Sequence, residues 1–190
     1  MSLKSLSDNI KSESEFYTFV KLERVIRRPL SLHHLHKDMA DIIRSHKHEE
    51  ERKSNVKAFM TNYFLHKQHS IVNEVCNAAI NVIQSIQVKD QKGTLDKFFT
   101  FDCCGAIYSE NDYTQPHTHG PALWSWCYYI QIPDNAPPLY FREAKLKVYP
   151  KPDELVIFPG HVTHEVPKAS DMQGERILLA GNIYLDYRNT

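Results

Sequence analysis

Four side chains in the second half of the chain have the types and spacing of a metal centre with an anion anchor. His117 and His119 form a His-x-His pair in DYTQPHTHGP, just before the run LWSWCYYIQIP. Strand side chains alternate with a period of two, so a pair entering a strand presents both imidazoles on one face. His164 comes later, in ELVIFPGHVTHEVP, where a strand leads through a Pro-Gly turn to the histidine. Two near donors and one distant donor make a three-ligand face and leave the opposite coordination positions open. Arg176 opens the apolar run ILLA in GERILLAGNIY. An arginine at the start of a buried strand is costly unless it meets an anion, and a guanidinium grips carboxylate in bidentate fashion. A small dicarboxylic acid fits that role, and so does a structural salt bridge to Glu154, Glu165 or Asp171.

These residues need a rigid frame. From Phe98 onward the chain breaks into short strand-like runs punctuated by Pro and Gly: FFTFDCCGAIY, LWSWCYYIQIP, PPLYF, KLKVYP, ELVIFPG and RILLAGNIYLDY. Short strands at regular spacing predict an all-β barrel or sandwich. Ahead of them the texture is helical. Leu32, Leu35, Met39 and Ile42 form a helical stripe over 31–45, with Ser31 placed to cap it. The stretch from Asn55 to Gln87 reads as the most helical part, with Ile71, Val72, Val75, Ala79, Val82, Ile83 and Ile86 on one face. Gly93 marks its exit. Phe16–Ile26 reads as a strand ended by Pro29, and HKHEEERK as a solvated connection. The expected plan is mainly β with N-terminal helices: one domain over 1–190, flexible over 1–15. A strand and helical support occupy 16–97, and a metal-binding β core occupies 98–190. The helices either cover one sheet or form a homodimer contact.

Composition narrows the function. Lys and Arg number 23, as do Asp and Glu, so there is no electrostatic case for nucleic acid or an anionic membrane surface. No apolar run reaches the ~20 residues that span a bilayer, and the N-terminus lacks the apolar core of a secretory signal. A cytoplasmic protein is expected, with Cys76, Cys103, Cys104 and Cys127 as reduced and mostly buried thiols. Five of the eleven histidines lie between His33 and His48 and are expected on the solvated flank of the first helix. In the strand after the His-x-His pair, Trp124, Trp126 and Tyr128 share one face, and Tyr129 shares the other with Ser125 and Cys127. Asn182 falls on the same strand face as Arg176 if no bulge intervenes, as a site residue or a structural amide. Tyr113 is placed to belong to a lid. His161, three residues before His164, is the rival ligand if one has been misassigned.

The segment from about Phe98 to Tyr184 resembles the Fe(II)/2-oxoglutarate-dependent dioxygenase superfamily, in particular its small bacterial and phage-type members. The resemblance is carried by PHTHGPALWSWCYYIQIP, ELVIFPGHVTHEVP and ERILLAGN. The family pattern is His-x-Asp/Glu, a distal His, and Arg or Lys about ten residues on. It implies a double-stranded β-helix (a jelly-roll, cupin-like sandwich) with helices packed on one sheet. It also implies Fe(II) on His117 and His164, and 2-oxoglutarate held through its distal carboxylate by Arg176, with Tyr129 and Asn182 as further candidates to contact it. The implied reaction couples oxidative decarboxylation of 2-oxoglutarate to dioxygen-dependent oxidation of a substrate. His119 departs from the pattern, standing where the superfamily has a carboxylate. Either it is the third ligand, or Asp112 or Glu165 supplies a carboxylate in its stead. Two rival functions follow: a cupin-like three-histidine metalloenzyme that uses no 2-oxo acid, such as a thiol dioxygenase, and a non-catalytic β-sandwich binding module.

Overall fold

A computed structural model describes residues 24–48, 54–86 and 97–186 of the chain. Most of the strand expected over 16–26, much of HKHEEERK, and Gly93 lie outside them. The described strands are β1 (Ile26–Pro29), β2 (Val56–Lys57), β3 (Phe59–Met60), β4 (Phe98–Tyr108), β5 (Tyr113–His117), β6 (Trp124–Gln131), β7 (Leu139–Phe141), β8 (Leu146–Val148), β9 (Glu154–Pro159), β10 (His164–Val166) and β11 (Arg176–Leu185). They form two antiparallel sheets. The larger has the order β1-β9-β6-β11-β4-β3, and the smaller has the order β2-β5-β10-β7-β8. Chain neighbours are seldom sheet neighbours, so the chain winds between the two layers, which is the double-stranded β-helix.

Alternation along the long strands sorts their side chains into two cores. On the outer face of the larger sheet, Ile107, Trp126, Tyr128, Ile157, Ile177 and Leu179 pack against helix α1 (His36–Ser45) and helix α3 (Ser70–Ile86). Helix α3 buries Val72, Val75, Cys76, Ala79, Val82 and Ile83, the i, i+3, i+4, i+7 stripe that its sequence displays. The helices therefore cover a sheet, the first of the two roles expected for them. Between the sheets, Ala106, Tyr129, Leu139, Phe141, Val156, Phe158 and Leu178 form the second core. Gly105 in β4 lets α1 approach: a Cβ there would lie 2.5 Å from Cγ1 of Ile43.

Three sequence expectations need correction. Residues 56–60 are not helical but form β2 and β3, which pair with β5 and β4. The helices here are only the short α2 (Leu65–Gln68) and α3. VKAFM has fair helix propensity, but two sheet edges offer it backbone partners, and tertiary pairing overrides a weak local preference. The strand expected to stop at Ile26 runs on to Pro29, which does end it, as the last residue of β1, an edge strand, where a missing N–H is tolerated. Ser31 does not cap the first helix. Its φ is +60°, no side chain among the described residues caps α1, and Asp153 instead anchors the segment ahead of it, its carboxylate accepting the backbone N–H of Ser31 (2.8 Å) and Leu32 (2.7 Å). A 3-10 turn (His33–Leu35) then leads into α1, which buries Met39, Ala40 and Ile43 while Ile42 is half-buried. No helix among the described residues is long and apolar enough to cross a membrane.

Candidate metal centre and anion pocket

His117 and His164 face one another across the ladder of the smaller sheet. They are direct partners in the antiparallel pairing of β5 with β10, so their side chains project to the same side. The His-x-His pair leaves a strand rather than enters one: His117 is the last residue of β5, and His119 sits in the loop before β6. That loop is pinned by backbone. His119 N–H donates to the Gly160 carbonyl at 2.6 Å, and Gly160 N–H donates to the Leu123 carbonyl at 2.9 Å. Gly160 has no room for a side chain, because a Cβ would meet the Ala122 carbonyl oxygen at 2.3 Å. The turn after β9 and the loop after β5 are thereby locked together, and they carry the donors into one cluster.

The ring centroids of His117 and His119 are 4.7 Å apart, those of His117 and His164 4.3 Å, and those of His119 and His164 5.0 Å. Their ligand atoms all lie within 4.8 Å of one another. Nδ1 of His117 is 2.8 Å from the Gln115 carbonyl, and Nδ1 of His164 is 3.1 Å from the Val162 carbonyl. An Nδ1–H donated to each carbonyl leaves the Nε2 lone pair free, the tautomer a metal ligand needs. The Nε2 atoms of His119 and His164 approach to 3.3 Å. Two lone pairs cannot face each other there without a proton or a cation to share. Burial and the neighbouring imidazoles push His164 down to about 3 and His119 to about 4, and burial also lowers His117. At neutral pH the three rings are therefore uncharged and available as donors.

The histidines line a cavity of about 220 Å³ between the sheets, and Arg176 lines it too. Arg176 is fully buried. Its Nη1 donates to the Pro137 carbonyl at 2.8 Å, its Nη2 to the Tyr129 hydroxyl at 3.2 Å, and its Nε has no partner. The Tyr129 and Tyr108 rings flank the guanidinium, 5.0 and 5.6 Å from centroid to Cζ. The salt-bridge alternative fails. Glu154 pairs with Arg27 and Glu165 with Arg142, and neither Asp171 nor any other carboxylate among the described residues pairs with Arg176. A buried cation with an orphaned N–H and no counter-ion is a site for an anion. The chemistry of the donors thus fits both absent groups: three neutral imidazoles for a divalent ion, and the guanidinium with a tyrosine hydroxyl for a carboxylate.

The remaining candidates also find places. Asp112 accepts the Ser109 N–H at 2.7 Å and Glu165 holds Arg142, so neither carboxylate joins the histidines. His161 is exposed and outside the cluster. Tyr129 projects into the cavity, whereas Trp126 and Tyr128 pack in the helix-facing core with Trp124 against it. The Tyr113 ring carries Lys168 Nζ 4.8 Å from its centroid. Asn182 lines the cavity but has both amide atoms engaged, accepting from Ser125 at 2.7 Å and donating to Asp102 at 2.7 Å. It ties β6, β11 and β4 together across the cavity wall. Sequence reasoning missed Asp102, Tyr108 and Thr114. The Tyr108 hydroxyl lies 2.6 Å from Thr114 Oγ1, and burial pushes Tyr108 up to about 12. Strand alternation along β4 could have placed Tyr108 and Asp102 on one face, that of the cavity, though not named their partners; nothing local singled out Thr114.

By sequence, neither a protein-family model nor a curated protein matches the chain. By structure, many solved proteins share its fold. A viral collagen prolyl hydroxylase from Paramecium bursaria Chlorella virus-1, solved with 2-oxoglutarate, superposes with a TM-score of 0.64 at 17% identity, covering 86% of this chain and 96% of that one. A prolyl-4-hydroxylase from Pseudomonas putida gives 0.60 at 17% identity, covering 96% and 98%. The non-heme α-ketoglutarate-dependent epimerase SnoN from nogalamycin biosynthesis gives 0.63 at 9% identity, covering 85% and 77%. The double-stranded β-helix implied by the sequence resemblance is thus the fold of this chain.

Proposed function

We propose that the chain is an Fe(II)- and 2-oxoglutarate-dependent oxygenase, an oxidoreductase of the hydroxylase kind acting on a substrate admitted to the cavity between the sheets. One observation carries the reading: a fully buried arginine without a counter-ion among the described residues shares a cavity with three converging neutral imidazoles. His117, His119 and His164 would hold the iron, with His119 in the place of the carboxylate usual in the superfamily. Arg176 and the Tyr129 hydroxyl would bind the distal carboxylate of 2-oxoglutarate. Iron held there supplies the coupling of 2-oxoglutarate decarboxylation to oxidation of a substrate by dioxygen. The protein's part is placement. The Gly160 bridge fixes His119, backbone carbonyls fix the other two rings, and Leu139, Phe158, Val166 and Leu178 keep water from the cavity walls.

The test is an anaerobic titration of metal-free protein with Fe(II) and then 2-oxoglutarate, followed by the visible metal-to-keto-acid charge-transfer absorption. The band should form in the wild type, vanish in His164→Ala, and need far more 2-oxoglutarate in Arg176→Ala. Iron binding without the band would instead favour a three-histidine metalloenzyme that uses no 2-oxo acid. Absence of tight iron binding would leave a binding module.

A further inference from the structure

Cys103 in β4 points away from the cavity, toward the helices, while its neighbours Asp102 and Cys104 line the cavity. On that helical side it meets Cys76 of α3 and His66 of α2, and the ligand atoms of all three lie within 4.8 Å of one another. Both cysteines are buried almost completely, at 0% and 1% exposure, and His66 is 9% exposed. The buried Nδ1 of His66 has no hydrogen-bond partner. An imidazole nitrogen left unpaired in a core costs free energy that a small apolar residue would not. The cluster is also held together from the backbone. Cys103 N–H donates to the Tyr63 carbonyl at 2.8 Å, and Phe64 bridges Cys103, so the turn preceding α2 is stitched to β4 at the cysteine itself.

We propose that Cys76, Cys103 and His66 form a second metal site that takes a thiophilic cation, Zn(II) or Cu(I), as a clasp between the helices and the larger sheet. Two thiols and an imidazole on three separate elements are a donor set suited to such ions and ill suited to Mg(II) or Ca(II). Binding forms two metal–sulfur bonds and one metal–nitrogen bond and releases the two thiol protons to solvent. Two thiolates then balance a divalent charge inside the core. On a tetrahedral ion the fourth place goes to water or a small anion. The site is distinct from the three-histidine cluster and lies on the opposite face of β4.

Cobalt distinguishes the two clusters, because only this donor set includes sulfur. Reduced, metal-free full-length protein titrated anaerobically with Co(II) should develop thiolate-to-cobalt charge-transfer absorption, which Zn(II) then abolishes. The band should persist in His164→Ala, disappear in Cys103→Ser, and need at least tenfold more Co(II) in His66→Asn. Should the core variant Cys103→Ser fail to fold, the wild-type and His66→Asn titrations decide. A wild type that binds Co(II) without the sulfur band overturns the site, as does a band that His66→Asn leaves unchanged.

Discussion

At the scale of single residues, position 119 separates ligand from bystander. Its backbone is held by Gly160 whatever its side chain, so His119→Asp presents a carboxylate from the same place. His119→Asp is expected to keep the Fe(II)–2-oxoglutarate absorption and His119→Ala to weaken iron binding at least tenfold, about 1.4 kcal/mol, as measured by anaerobic titration. Arg176→Lys keeps the charge but loses the planar fork. It should raise the 2-oxoglutarate concentration for half-saturation at least tenfold while leaving iron affinity near that of the wild type. Tyr129→Phe removes one hydroxyl from the proposed anion site and should weaken 2-oxoglutarate by a smaller amount, about 1 kcal/mol. The three histidines and Arg176 were legible because residue type announces them: imidazoles at i and i+2 beside a strand, and a cation opening an apolar run. Asp102 and Thr114 were not, because their partners, Asn182 and Tyr108, are set by strand pairing and by a turn that carries the chain from one sheet to the other.

At the scale of elements, two glycines carry the packing. Gly160→Ala drives a methyl group into the Ala122 backbone, which cannot yield as a side-chain tip can. The expected result is a His119 loop displaced from the cluster, seen as a loss of iron affinity larger than the accompanying loss of thermal stability. Gly105→Ala acts elsewhere, against the stiff β-branched Ile43 on α1. It should cost about 1–3 kcal/mol by overpacking, and Ile43→Ala in the same chain should recover part of that, a coupling that denaturant melts of the two single variants and the double variant would measure. The long strands and α3 were readable from period-two and period-3.6 patterns. The short pieces at 56–60 were not, since two-residue strands exist only where a neighbouring edge accepts them.

At the scale of the whole molecule, two acidic groups fasten the helical layer to the sheets. Burial raises the Asp153 carboxyl, but hydrogen bonds from Tyr128 and from the Leu32 and Ser31 N–H groups prevail and hold it low. Hydrogen bonds from Lys47 and Arg44 likewise hold Glu175 low, against its partial burial. A carboxyl depressed in the folded state contributes stability above its ordinary range, near pH 4, and that contribution fades as pH falls through the depressed values. Thermal melts from pH 7 to pH 3 should therefore show Asp153→Asn less stable at neutral pH by about 1 kcal/mol, as charge-assisted hydrogen bonds become bonds to a neutral amide, with the gap to wild type closing in acid. The sandwich with helices on one sheet was foreseeable from the order of textures along the chain. Its strand order was not, because crossovers between layers leave no periodic trace. That order has a consequence for biosynthesis. β11 lies at the middle of the larger sheet, between β6 and β4, yet of the described strands it is the last to leave the ribosome. Until it emerges, β4 with β3 and β6 with β9 and β1 are separate half-sheets with open edges, a state prone to association with other nascent chains. The same strand brings Arg176, so a stalled or truncated polypeptide should display the histidines without ever holding a closed core or the buried guanidinium.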